Sequence, residues 1–293
     1  MSAKSKTKTE YKKRSQLAET WRRIRKNKLA VTGLIIFVLI VLLAIFAPYV
    51  APYGYDEQNV NMQLKPPGTP GYILGTDNLG RDILSRLIWG ARFSLQCGLI
   101  AVVVSTIGGC LLGAIAGYFG GILENVIMRL MDILMAIPGI LLAIAIGAAL
   151  GPGMKNAIIA IGIAGIPGFA RIIRSSVMSV KEMEYVEAAK SINAGDMRIL
   201  MRHIMPNVMA PLLVQATLSI ANAIIQTASL SFLGLGVQAP LPEWGAMISG
   251  SRSFIRQYSY MVTCPGIAII LAVFSINVLG DGLRDALDPK LKT

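Results

Sequence analysis

The strongest constraint on this chain is a set of long runs that contain no charge. They cover residues 29–50, 93–119, 133–154, 156–170, 207–242 and 257–280. A helix needs about 20 apolar residues to cross roughly 30 Å of hydrocarbon. Most of these runs reach that length, and the fourth does so if Arg171 and Arg174 snorkel and it extends toward residue 180. The fifth is too long for one helix, so it reads as a span ending near Leu233 and a loop rich in Gly and Pro. Only 15% of the residues are charged, against about 25% in soluble domains. The pattern predicts an all-α membrane protein with six transmembrane helices.

Six spans put both termini on one side, and charge says which. Of the 28 Lys and Arg residues, 21 fall on the side of the termini and seven on the other. Loops rich in Lys and Arg stay in the cytoplasm, so the expected topology is N-in, C-in. Arg81, Arg86 and Arg92 in the first outer loop go against the rule, with Asp77 and Asp82 offsetting them in part. The net charge of +12 sits beside apolar runs, which points to topology and anionic lipid rather than nucleic acid.

The expected organisation is a basic cytoplasmic head at 1–28, a first span at 29–50, an outer loop at 51–92, a five-helix core at 93–281 and a cytoplasmic tail at 282–293. The head is too long for a signal-peptide n-region and the span too long for an h-region, so the first span is expected to be retained. In the outer loop, Ile83, Leu84, Leu87 and Ile88 recur at helical spacing beside Trp89. That predicts a short helix lying in the interface before span two.

Inside the spans, Ser105, Gly109, Gly113, Gly117 and Gly121 are spaced by four. Small faces let helix backbones approach closely, within the bundle or against a partner subunit. Span five carries Gln215, Ser219, Asn222 and Gln226 on one helical face. Such a stripe must meet protein or water, as the wall of a path or as hydrogen bonds between helices. Asp132 opens span three with Arg129 one turn earlier, an expected i, i+3 ion pair. Pro138 is expected to kink that span. Cys97, Cys110 and Cys264 share no metal-like spacing and read as packing residues. A single histidine, His203, excludes a two-histidine zinc site of the HExxH kind, and no P-loop is present. No residue set looks catalytic.

The most unusual segment is polar. Between spans four and five lie residues 181–206, where a connector needs only a few residues. Glu184 to Ile192 reads as a helix with Tyr185, Ala188, Ala189 and Ile192 on one face. Asn193-Ala194-Gly195 can break it, since Asn and Gly tolerate positive φ. Asp196 is then expected to cap a second helix through Arg202, with Pro206 at the entry to span five. A short amphipathic helix on the cytoplasmic face is a docking element for a partner groove.

This segment resembles the EAA loop of ABC importer permeases. Glu187, Ala188, Ala189 and Pro206 stand at the family's spacing, while Asn193, His203 and Met205 replace its Gly, Ile and Leu. The blocks KNKLAVTGLIIFVLIVLLAIFAP, LGTDNLGRDILSRLIWGARFSL, MRLMDILMAIPGILLAI, RHIMPNVMAP and SLSFLGLGVQAPLPEWGAMI look like the dipeptide and oligopeptide permease subfamily, within it the second or "C" subunit. The resemblance implies a type I importer fold. It implies a homologous second permease, one or two cytoplasmic ATPase chains and an external solute-binding protein. ATP and Mg²⁺ would sit on the ATPases, with no cofactor on this chain, in a bacterial or archaeal cytoplasmic membrane. Tyr185, Glu187, Ala188, Ala189, Asn193, Gly195 and Pro206 are the expected coupling residues. The span-five stripe is the candidate path. Two alternatives stand beside this: a nickel or nickel-chelate importer, and a secondary transporter working alone.

Overall fold

The computed structural model describes residues 16–287, with side-chain surroundings from residue 21 onward. The start of the basic head, 1–15, and the tail beyond 287 lie outside the described residues. Every extended element among the described residues is a helix. The basic head contributes α1 (Gln16–Lys26). Asn27 then breaks the chain direction with an extended backbone, and its Oδ1 accepts from the N–H groups of Leu29 at 3.1 Å and Ala30 at 3.2 Å. These are orphan donors of a new helix, and Asn is suited to satisfy them. The helix is α2 (Lys28–Ile45), the first span. It stops where Pro48 lacks the N–H needed to continue the ladder, and a single turn, α3 (Ala47–Val50), leads into the outer loop.

The remaining crossings are α4 (Ile83–Phe119), the pair α5 (Gly121–Met135) and α6 (Gly139–Leu150), α7 (Met154–Lys181), α10 (Met205–Phe232) and α12 (Tyr260–Leu287). Between α7 and α10 lie α8 (Glu184–Ser191) and α9 (Asp196–Arg198), and α11 (Trp244–Ser251) follows α10. Packing fixes their directions. A Cβ on Gly109 would strike Phe169 and Ala170, one on Gly113 would strike Ala170 and Ile173, and one on Gly117 would meet Arg174 and Val177. Numbers rise together along both helices, so α4 and α7 are parallel. The chain between them must cross back, which makes α5 and α6 one crossing although they are bent by 89°. By the same reading α2 runs antiparallel to α12, with Gly33 against Ser275 and Val278 and Ala30 against Gly282. Six alternating crossings result, and both ends of the described chain lie on one side.

Several local expectations differ from what the chain does. There is no separate interfacial helix before span two: Ile83 to Phe119 is one helix of 37 residues. Nothing between Trp89 and Phe93 stops it, and its first turns are buried under α11, where Trp244 Nε1 donates to the Leu87 carbonyl at 3.1 Å. The small-residue stripe packs on α7 within this chain, but Gly121 is outside it and starts α5 at a φ of 61° with no close neighbour. Ser105 joins the contact by donating to the Gly162 carbonyl at 2.7 Å. Pro138 does more than kink the third crossing, because Ala136, Ile137 and Pro138 break it. Asp132 pairs with Arg171 at 2.7 Å rather than with Arg129, because α7 lies alongside α5 while Arg129 is exposed. Glu124 pairs with Arg174 in the same way.

The outer layer accounts for the arginines that defy the charge rule. Asp77 takes Arg81 at 2.6 Å and Arg86 at 3.7 Å. Arg86 is 5% exposed and also donates to the carbonyls of Tyr55 at 2.7 Å and Pro240 at 3.4 Å. Asp82 caps α4 by accepting from the N–H and hydroxyl of Ser85 at 2.7 and 2.6 Å. Glu243, fully buried, caps α11 by accepting from Gly245 N–H and Ala246 N–H, both at 2.9 Å. Ser94 donates to it from α4 at 3.3 Å. Burial pushes the Glu243 carboxyl above its ordinary value, and the hydrogen bonds it accepts pull the other way. The free thiols of Cys97, Cys110 and Cys264 pack among apolar helices.

Candidate functional site

The polar segment between α7 and α10 is amphipathic in a way its sequence only half discloses. In α8, Val186 and Ala189 are buried. They belong to the same apolar cluster as Val177 and Ile173 of α7, Tyr118 of α4 and Val208 of α10. Tyr185, Glu187 and Ala188 face out. The face expected to carry Tyr185, Ala188, Ala189 and Ile192 is therefore divided: Ala189 looks inward, while Ile192 is 80% exposed. Helical geometry explains this, since residues three apart, such as Val186 and Ala189, share the side nearest the bundle.

Asn193 ends α8 at a φ of 56°. It supplies the left-handed residue of the turn, with Ala194 N–H returning to the Ala189 carbonyl at 3.2 Å. Gly195 has an ordinary extended backbone, φ −64°, and open space around it. The left-handed position of this break is thus Asn193 and not Gly195. Asp196 is not the cap expected of it, because Gly195 takes the cap position and Asp196 is the first helical residue. It accepts instead from the Tyr118 hydroxyl at 2.6 Å. The expected second helix is the start of span five, which runs unbroken from Asp196 to Phe232. Pro206 has no N–H to offer the carbonyl one turn back. The helix answers with a wide turn over Ile199–Ile204, and Met205 N–H reaches the Leu200 carbonyl.

Three polar links tie this segment to the spans. Lys181 donates to the Tyr118 carbonyl and lies over the Tyr118 ring, 5.5 Å from its centre. Tyr118 holds Asp196. Asn207 Nδ2 donates to the Tyr185 hydroxyl at 3.0 Å and to the His203 carbonyl at 2.7 Å. Sequence reasoning did not single out Tyr118, Lys181 or Asn207. Lys181 lies 63 residues from Tyr118 and Asn207 22 residues from Tyr185, and only the position of Tyr118 at the end of the small-residue stripe hinted at it. Beyond these links an apolar surface remains uncovered: Ile192, Met197 at 70%, Met201 at 60% and Met183 at 46% exposure.

On α10, the buried side carries Ala221, Ala223, Ile224 and Thr227, while Gln215, Ser219 and Gln226 are part-exposed and Asn222 is exposed. Gln215 Nε2 donates to Ser219 Oγ at 3.2 Å along the same helix. Among the described residues none of the four bonds to another helix. Gln215 also lines a cleft of about 500 Å³ near the cytoplasmic end, with Asn207, Pro211, Ile172 and Arg284. The stripe thus opens outward from this chain, at the level of the spans.

Comparison with known proteins gives a consistent result. Residues 109–293 match the family described as binding-protein-dependent transport system inner membrane component. Residues 15–67 match the N-terminal TM domain of oligopeptide transport permease C. The di/tripeptide transport system permease protein DppC of Pseudomonas aeruginosa is 50% identical over 95% of this chain and 93% of its own length. The glutathione transport system permease protein GsiD of Escherichia coli is 46% identical over 94% of this chain and 90% of its own. Among solved structures, the inward-facing MetNI methionine ABC transporter superposes with a TM-score of 0.58. It does so at 18% identity, over 70% of this chain and 98% of that one, so the likeness speaks for the fold.

Proposed function

This chain belongs to the family of binding-protein-dependent transport inner membrane components, and from that premise we propose that it is one of two permease subunits of an ATP-driven importer for dipeptides and short oligopeptides. The peptide cargo rests on relatives named for dipeptides, di/tripeptides and glutathione, a set that does not favour nickel. The chain carries no chemistry of its own. ATP and Mg²⁺ sit on cytoplasmic partner ATPases, a homologous permease completes the path, and an external binding protein delivers the cargo. The setting is a bacterial or archaeal cytoplasmic membrane.

The observation that carries this reading is the divided surface of α8 and the turn after it. One side is buried in the core of the spans, and the other presents Tyr185, Glu187, Ala188 and Ile192 to the cytoplasm. Asn193 sets the turn, and Gly195 and Pro206 frame the return to span five. A groove in a partner ATPase receives the exposed side. When the ATPases close, α8 moves. Its buried side pushes on α7, α4 and α10 through Val186, Ala189 and the Tyr118–Asp196 and Tyr185–Asn207 links. Packed interiors transmit such displacements because they have little free volume. The stripe Gln215, Ser219, Asn222 and Gln226 forms this chain's wall of the path, where water and peptide groups satisfy polar atoms left without interhelical partners.

The test is to purify a tagged copy from its own membranes, identify each chain that comes with it, and measure uptake. The reading expects a second six-span permease with one or two P-loop ATPases, and uptake lost on ATP depletion. Uptake by this chain alone, lost on collapse of an ion gradient, would make it a secondary transporter and overturn the reading.

A further inference from the structure

Span one leaves most of its surface uncovered by the rest of the chain. Of its 18 residues only Ala30, Gly33 and Ala44 are buried, and Leu29, Ile35 and Leu39 are each more than half exposed. Eighteen residues rise about 27 Å, which barely matches the roughly 30 Å of hydrocarbon. Such a helix has no slack to slide, so Lys28, its first residue, is held at the headgroup boundary. Just before it the chain turns at Asn27, and α1 departs. On the inner side of α1, Ile24 is buried and packs with Ala30 of α2 and Ala286 of α12. Its outward surface carries Trp21, 51% exposed, with Arg22, Arg25 and Lys26 exposed beside it and Lys28 next along. Trp21 and Arg25 stand one helical turn apart on α1, and Lys28 opens α2 just past the Asn27 turn, the indole being suited to the membrane–water boundary and the cations to its anionic side.

We propose that α1 and Lys28 form a binding surface for anionic lipid headgroups of the cytoplasmic leaflet, with Trp21 seated in the interface and Arg22, Arg25, Lys26 and Lys28 on headgroup phosphates. The lipid source follows from depth: the four cations stand in or next to the first turn of a span whose exposed residues are mostly apolar. The surface also reaches the transport machinery. Ile24 grips Ala286, and the neighbouring Arg284 and Leu287 line the cytoplasmic cleft beside Gln215. Bound lipid thereby holds the end of α12 and one wall of that cleft. This does not depend on which cargo is carried.

The probe is spin-labelled phosphatidylglycerol against spin-labelled phosphatidylcholine, each at trace level in phosphatidylcholine vesicles that hold the assembled complex. The motionally restricted fraction of each label gives the relative association. The native protein is expected to prefer phosphatidylglycerol by at least about fivefold, the worth of roughly one surface cation. About 1 M salt, where screening acts within ~3 Å, should erase the preference. Replacing Arg22, Arg25, Lys26 and Lys28 by Gln should bring it close to parity. The milder R25Q/K28Q pair, which leaves Ile24 and Asn27 in place, should lose part of it and serves if the quadruple variant fails to assemble. R252Q/R256Q on the outer side should keep it. A preference unchanged in the cytoplasmic variants, or lost equally in the outer one, overturns the proposal. So does loss of an ATPase chain from the quadruple variant with lipid preference intact, since the surface would then belong to a protein.

Discussion

The two ends of the molecule solve opposite problems. The outer layer buries polar groups and pairs most of them internally, with Arg86 between Asp77 and two carbonyls, Asp82 Oδ2 on Ser85 and Glu243 on the first turn of α11, while Asp82 Oδ1 and Trp89 Nε1 are buried without a partner. The cytoplasmic segment buries apolar groups on one side and leaves Ile192, Met197 and Met201 bare on the other. A buried charge with its partners in place fixes geometry, because losing any partner is costly. A bare apolar surface signals a partner still to come. The contrast suggests a rigid outer cap and a cytoplasmic face made to be gripped and moved.

Substitutions can break that contrast in order of severity. The largest effect is expected at Arg86. Arg86→Met should destabilise the chain by about 3 kcal/mol, since Asp77 loses a cation and two carbonyls lose their donor. A lower melting temperature and poor recovery in detergent would register it. Glu243→Ala should cost about 2 kcal/mol by leaving the N–H groups of Gly245 and Ala246 unpaired. Glu243 also gives a signature in pH. Its carboxyl is raised, so the folded state holds the proton more tightly than the unfolded chain does. That contribution to stability is complete below the ordinary carboxylate value and is lost as pH climbs through the raised one. The melting temperature should fall over that window, and a Glu243→Gln variant should be flat across it.

At the cytoplasmic end smaller changes in stability should accompany larger changes in coupling. Tyr118→Phe removes one hydrogen bond to Asp196 and should cost about 1 kcal/mol. It should also raise the ATP consumed per peptide carried, read from hydrolysis and uptake in the same vesicles. Asn207→Ala, at a part-exposed link, should cost about 0.5 kcal/mol and loosen coupling less. A Tyr118 variant with unchanged coupling would assign that link to the scaffold.

Much of this was legible in the sequence, for physical reasons. Uncharged runs near the thickness of a bilayer have few other uses, so the crossings and their direction followed from length and Lys/Arg placement. The glycine stripe announced a close helix contact, because nothing else makes four-residue spacing of small groups useful in lipid. Sequence periodicity could not say where a helix stops. The turns at Ile83 to Trp89 look interfacial by composition, yet they continue into span two because no residue between them breaks it. Partners across long separations were equally hidden: Asp132 had a plausible neighbour in Arg129, and only the packing of α7 brought Arg171. Glu243 gave one local sign, an acid after Pro-Leu-Pro and before Trp-Gly, and its burial depends on Ser94 of a distant helix. In the segment between α7 and α10, the left-handed backbone of Asn193 follows from its residue type, while the inward turn of Ala189 required the bundle to be seen.

The most direct test of the account is the coupling ratio of an Ala188→Trp variant. Ala188 is exposed on α8, so added bulk there should leave this chain's insertion and melting temperature unchanged, and co-purification of the ATPases with the variant checks assembly. Uptake and ATP hydrolysis would be measured together in vesicles containing the whole complex. The account predicts that uptake falls at least about tenfold, a loss of ~1.4 kcal/mol or more in the coupled step, while hydrolysis continues. Uptake at the normal rate in that variant would contradict the claim that this segment transmits the motor's work.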